Sequence, residues 1–141
     1  MTFAEFDSQG RNGHFLQSEF VCKCGCGLDT PDAKLIDALN ELRDLVGRPI
    51  TITGPLRCNE HNAATPGASP DSRHTTPYCD AVDIRIKGMS VSQMARAALM
   101  IPAFASGGIG LYINRIHVDT RGYSARWTVK TGLTWDRVIG Q

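Results

Sequence analysis

Three short stretches constrain this chain more than anything else in it: Ser72-Arg73-His74, Ala81-Val82-Asp83-Ile84 and Ile116-His117-Val118-Asp119. They spread two histidines and a carboxylate along the sequence, and imidazole nitrogen and carboxylate oxygen are the donors from which an open catalytic zinc site is made. Such a site takes three protein ligands and leaves a fourth position for water. A fold that brings His74, Asp83 and His117 together therefore makes the chain a metallohydrolase with Zn2+ as its cofactor.

Local patterning says how they could meet. Ala81 to Ile86 alternates as a half-buried strand does, with Val82, Ile84 and Ile86 on one face, so Asp83 points away from the core. Gly110 to Ile113 and Ile116 to Asp119 flank Asn114-Arg115, which reads as a two-residue hairpin turn. In that register Tyr112 faces His117, and Tyr112, His117 and Asp119 share one face while Ile113, Ile116 and Val118 share the other. A single histidine is more often a surface or core residue than a ligand, and His14 and His61 are read that way.

The remaining organisation is that of a small mixed fold. Thr30-Pro31 is expected to cap a helix with Leu35, Ile36, Leu39, Leu42 and Val46 at helical spacing, ended by Gly47. A strand follows from Ile50 to Thr53, broken by Gly54-Pro55 ahead of Arg57, and Asn59 to Ala64 reads as a short helix. Thr65 to Tyr78, rich in Pro, Gly, Ser and Thr, is a long ordered loop carrying His74. Ser90 and Gln93 form a capping-box start for a helix through Met94, Ala98 and Leu99 that Pro102 ends. Trp127 and Trp135 are assigned to packing.

Five cysteines stand at Cys22, Cys24, Cys26, Cys58 and Cys79. Cys22, Cys24 and Cys26, with Cys58 as a fourth, could hold a second, structural metal, although the spacing is tighter than a Cys-x-x-Cys knuckle; free or disulfide-linked thiols are the alternative.

The three opening stretches, with Gly108-Ile109-Gly110 and Asp119-Thr120-Arg121-Gly122, resemble the M15 peptidases, and their small phage and bacterial members in particular. Phe15 to Phe20 with Cys22-Lys23-Cys24-Gly25-Cys26-Gly27, Ile50 to Thr53 and Arg57 to Asn62 resemble that branch too, so the likeness runs from about Phe15 to Trp127. It implies a zinc peptidase with a Hedgehog/DD-peptidase-like fold, acting on peptidoglycan stem peptides in the D-Ala-D-Ala carboxypeptidase or L-Ala-D-Glu endopeptidase manner. His74, Asp83 and His117 match the zinc ligands, Arg57 the arginine placed near the substrate, and Ser72 the serine of the first motif, so Arg57, Tyr112 and Ser72 are the substrate-side candidates.

Two departures from the family pattern matter. Thr75 to Asp80 carries a two-residue insertion, which makes Asp80 a rival to Asp83, but Ala81-Val82-Asp83-Ile84 fits the motif better and Asp80 lies before the strand, so Asp83 is kept as the ligand. The acid that many members place three residues before the last zinc histidine is Asn114 here. Asp119 is then the best remaining carboxylate, either as general base or as a structural acid that orients His117 or an arginine. Tyr112, Arg57 and Arg121 are candidate donors to an oxyanion.

The chain has 141 residues, 42% of them hydrophobic, which suits one domain over 1–141 with one core. A formal charge of +1 gives no broad footprint for nucleic acid or an anionic membrane. No signal peptide is read at the start and no stretch could span a bilayer. With the family likeness, this suits a phage endolysin held in the host cytoplasm before lysis, or a virion-associated wall hydrolase. The expectations are an α+β monomer, a small mostly antiparallel sheet with flanking helices, bacterial peptidoglycan as partner, and, as the alternative function, a catalytically weak or inactive metal-stabilised module of a phage particle.

Overall fold

In the computed structural model, which describes residues 2–69 and 71–140, the chain starts with a two-stranded ribbon of β1 (Arg11–Asn12) and β2 (Phe15–Leu16). A 3-10 turn (Gln17–Phe20) follows and drops Phe20 beside Phe15, their ring centroids 6.2 Å apart. Both rings are fully buried, each a gain of roughly 1.5–3 kcal/mol over exposure.

Helix α1 (Ala33–Val46) turns the predicted apolar spacing into a core face of Leu35, Ile36, Leu39 and Leu42, and Gly47 ends it in the left-handed conformation at φ 66°. The cap is Asp32 rather than Thr30-Pro31. Its carboxylate reaches the Lys34 N–H, while the Pro31 carbonyl is already used by the Ala4 N–H.

The main sheet has five strands in the order β3 (Ile50–Gly54), β4 (Ala81–Ile86), β6 (Ile116–Asp119), β5 (Gly108–Leu111) and β7 (Ala125–Thr128). All pairings are antiparallel except β5 with β7, so the mostly antiparallel α+β architecture holds. The alternation read in β4 is present. Val82, Ile84 and Ile86 are buried with Ile109, Leu111, Ile116 and Val118 on one face, against α3 (Val91–Leu99) and α4 (Pro102–Ala105), which in turn contact α1 in the same core. Ser90 and Gln93 make the expected capping box at the start of α3. Two short helices, α2 (Asn59–Ala64) and α5 (Trp135–Ile139), complete the fold. One continuous core runs from Ala4 to Val138.

The hairpin differs from its predicted register. Gly110, not Tyr112, pairs with His117, and the connection is the four residues 112–115, closed by the Tyr112 N–H on the Arg115 carbonyl. Ile113 is consequently exposed rather than facing Ile116. The cause lies in the neighbouring strand: the Trp127 indole packs onto Gly110, where any Cβ would collide with it. A shift of two residues preserves the side-chain faces, so Tyr112 and His117 still share one.

Candidate metal centre

Adjacent antiparallel strands place two of the three donors opposite each other, since Asp83 on β4 pairs with His117 on β6. The third, His74, comes from the loop between α2 and β4. His74 Nε2 lies 3.2 Å from His117 Nδ1, and Asp83 Oδ1 lies 3.4 Å from each of them. Both imidazoles are buried and Asp83 is nearly so. Gly54 makes the approach possible, because a Cβ there would strike the Asp83 carboxylate, and β3 slips register at that point.

Each histidine is held by its other nitrogen. His74 Nδ1 donates to the Pro55 carbonyl at 3.1 Å and His117 Nε2 donates to Asp119 Oδ2 at 2.7 Å. Neither acceptor carries a proton of its own to give, so in the neutral imidazoles the other nitrogen of each ring turns its lone pair to the shared point. Burial pushes the Asp83 carboxyl up, but the flanking imidazoles more than reverse this and hold it below the usual carboxylate range. Burial lowers His74, with Asp83 opposing only in part. Burial also pulls on His117, yet the carboxylates of Asp119 and Asp83 on its two sides raise it.

Asp119 is fully buried, and both its oxygens are engaged. Oδ1 accepts from the Gly108 N–H at 2.7 Å and from the Arg121 N–H and Nε, while Oδ2 accepts from His117 and from Arg121 Nη2 at 2.7 Å. Of the two roles open to Asp119, this is the arrangement of the orienting one. Arg121 is committed to that carboxylate. Asp80 makes a paired bond to Arg73 Nε and Nη2, away from the three donors, which leaves Asp83 without its rival.

Ser72 joins an arginine to a ligand. Its Oγ accepts from Arg57 Nη2 at 3.1 Å and from the His74 N–H at 3.2 Å, and the Arg57 N–H donates to the His74 carbonyl. Arg57 Nε is buried without a hydrogen-bond partner, and burial lowers the guanidinium despite the pull of Asp83. Tyr112 accepts from Trp127 Nε1 at 3.2 Å, and Trp127 lies 4.8 Å from the His117 ring. Trp127 therefore walls the site rather than only packing, and Arg115, 3.6 Å from Asp83 Oδ2 and stacked over Tyr112, joins it. Arg115 was findable by counting back two positions from His117 along the strand face. Trp127 carried no such signal, because β7 is a short, half-buried parallel edge without alternation.

Two hollows meet at the donors, with Arg57, Asp83 and Arg115 lining both. One, about 490 Å³, adds His74, His117, Arg121, Tyr112, Tyr123 and Trp127. The other, about 370 Å³, adds Lys23, His61 and Arg85 and is cationic apart from Asp83. Asp119 lines neither.

Cys22, Cys24, Cys26 and Cys58 also converge, as a second set of donors able to hold a metal. Cys79 is buried elsewhere in the core, and His61, read as an ordinary residue, has its Nδ1 3.2 Å from Cys22 Sγ. No helix among the described residues is long and apolar enough to cross a membrane.

Residues 13–119, more than half of the chain, match the family model described as Peptidase M15. No curated protein and no solved structure matches the chain.

Proposed function

The chain belongs to the M15 peptidase family, and on that premise we propose that it is a zinc peptidase hydrolysing peptide bonds in the stem peptides or cross-links of bacterial peptidoglycan. The observation that carries the metal reading is the donor triangle. Two ring nitrogens 3.2 Å apart converge with a carboxylate oxygen on one point, an arrangement that a shared proton or a bound cation satisfies and that has the donor set of a zinc site. Zinc bonds of about 2.0–2.1 Å to nitrogen and oxygen span a tetrahedral edge of roughly 3.3–3.4 Å, against edges of 3.2, 3.4 and 3.4 Å here. His74, Asp83 and His117 would hold the ion, and when bound it supplies an acidified water and a Lewis acid for the scissile carbonyl.

The other residues take roles that follow from their contacts. Asp119 is a positioning residue: it keeps the proton on His117 Nε2 and so keeps Nδ1 free to ligate. Pro55 does the same for His74 through its carbonyl. Ser72 fixes Arg57 against the His74 loop instead of reaching for substrate itself. Arg57, partly desolvated and with Nε unpaired, is suited to a substrate carboxylate or to the oxyanion formed as the amide is attacked. Tyr112 presents its hydroxyl in the same cleft. Hollows on both sides of the donors accommodate residues on both sides of the scissile bond, and the cationic one suits the carboxylates of stem peptides. A phage endolysin or a virion-associated wall hydrolase is the setting this reading suggests.

The test is digestion of purified peptidoglycan with mass analysis of the released muropeptides. The zinc-loaded protein should release peptide fragments, and the chelated protein and His117→Ala should not. Equal release by the chelated protein would remove the metal from the mechanism. Intact muropeptides with the loaded wild type would favour the module without turnover, which Asn114 in the usual position of the acid also supports.

A further inference from the structure

We propose that Cys22, Cys24, Cys26 and Cys58 form a second metal site, a four-thiolate centre for a soft divalent ion of the zinc class, whose role is structural. The four Sγ atoms lie within 4.8 Å of one another, with Cys24 3.4 Å from both Cys22 and Cys58. Zinc–sulfur bonds of about 2.3 Å require sulfurs roughly 3.8 Å apart at the corners of a tetrahedron, which is the scale of this cluster. All five cysteines are unpaired, so no disulfide competes for these sulfurs.

Two of the four sulfurs, Cys22 and Cys58, receive backbone donors. The Cys58 N–H points at Cys22 Sγ at 3.4 Å, the His61 N–H at Cys58 Sγ at 3.3 Å, and the His61 ring nitrogen sits 3.2 Å from Cys22 Sγ. Donors aimed at ligating sulfur stabilise its negative charge and fix its direction. The 21–28 loop has no helix or strand of its own; it turns at Gly25 and Gly27, both at positive φ, and is closed by the Cys22 N–H on the Leu28 carbonyl and the Gly25 N–H on the Cys22 carbonyl, which gathers its three sulfurs on one side of Cys58. Cys24 and Cys26 are exposed, where unligated thiols would be open to oxidation.

The placement gives the ion a task. Cys58 follows directly on Pro55, Leu56 and Arg57, the segment whose Pro55 carbonyl holds the His74 ring and whose Arg57 N–H holds the His74 backbone. Leu56 in turn donates to the Phe20 carbonyl, just ahead of the cysteine loop. A thiolate centre thus holds the Cys58 end of the segment that carries the substrate-side arginine and ties it to the loop that follows Phe20, so it steadies the segment against which His74 is held. Its existence does not depend on what that other site hydrolyses.

Cobalt(II) is the probe, titrated into the full chain purified under reductant, with metal counted by mass spectrometry and thiolate-to-metal charge transfer followed in the near ultraviolet. Wild type should hold two ions per chain and show the band. His117→Ala should hold one ion with the band intact, and Cys24→Ser should lose the band while keeping one ion. The proposal is overturned if wild type shows no thiolate band, or if His117→Ala binds no ion. Should Cys24→Ser fail to fold, the wild-type and His117→Ala titrations still decide it, and neither reads peptidase activity.

Discussion

The two donor clusters lie on either side of the Pro55–Cys58 segment and are built in opposite ways. His74, Asp83 and His117 are buried, two of them on paired strands, and each imidazole is already aimed by a carbonyl or a carboxylate. The cysteines sit on an irregular loop and the start of a short helix, two of them exposed, with sulfurs whose nearest partners include one another. In the first case the fold would hold an ion, because strand pairing fixes two of the donors in advance. In the second, on the proposed reading, the ion would hold the loop. Preorganisation suits a centre that must keep a coordination position free for chemistry, whereas a closed thiolate site can contribute its binding energy to folding.

That contrast breaks most directly at His117. His117→Ala should lower wall-hydrolysing activity by a factor of about a thousand or more, since a missing ligand removes several kcal/mol of transition-state stabilisation. The melting temperature should move by only a few degrees, because the strands and the thiolate centre remain. A large melting shift with modest loss of activity would invert the comparison. Gly54→Ala tests the same centre from its backbone: the added Cβ meets the Asp83 carboxylate. Catalytic metal affinity should weaken about 10–100-fold, the size seen when a ligand's support is disturbed, with the cobalt–thiolate band untouched.

Asp119→Asn sharpens the picture further. If Asp119 only orients His117, metal affinity measured against a competing chelator should fall about 10–100-fold, and saturating zinc should restore most of the activity. A general base would behave differently, with unchanged affinity and activity that stays lost at saturating zinc. The contacts of both Asp119 oxygens favour the first result.

Much of this was legible because strands broadcast their faces. Alternation in Ala81 to Ile86 and Ile116 to Asp119 was enough to turn Asp83, His117 and Asp119 away from the core, and the capping box at Ser90 marked α3. What stayed hidden depended on contacts between segments distant in sequence. The Pro55 carbonyl leaves no trace in residue identity. The two-residue slip of the hairpin follows from Trp127 seated on Gly110, a strand-to-strand fit that neither segment shows alone. Asp83 could be preferred to Asp80 from the Ala81-Val82-Asp83-Ile84 motif and its strand, but the contact that occupies Asp80, the grip of Arg73, could not be read there.

The smallest expected effect concerns the fifth cysteine, and it tests whether the thiolate cluster is a defined set or a loose collection of thiols. Cys79 is 1% exposed within the apolar core, and burial pushes its thiol up to about 11, so it stays protonated and unreactive at neutral pH. Cys79→Ala removes one buried sulfur and should cost about 1 kcal/mol, a few degrees in melting temperature, with both metal sites intact. Alkylation of the native protein, counted by mass spectrometry, makes the distinction sharper. Metal-loaded chain should resist at all five cysteines, four through ligation and one through burial. Chelation should then expose Cys22, Cys24, Cys26 and Cys58 together while Cys79 remains unmodified. Labelling of Cys24 and Cys26 alone before chelation would mean that the sulfurs act independently, and the contrast between a fold that holds an ion and an ion that holds a fold would not apply to that loop.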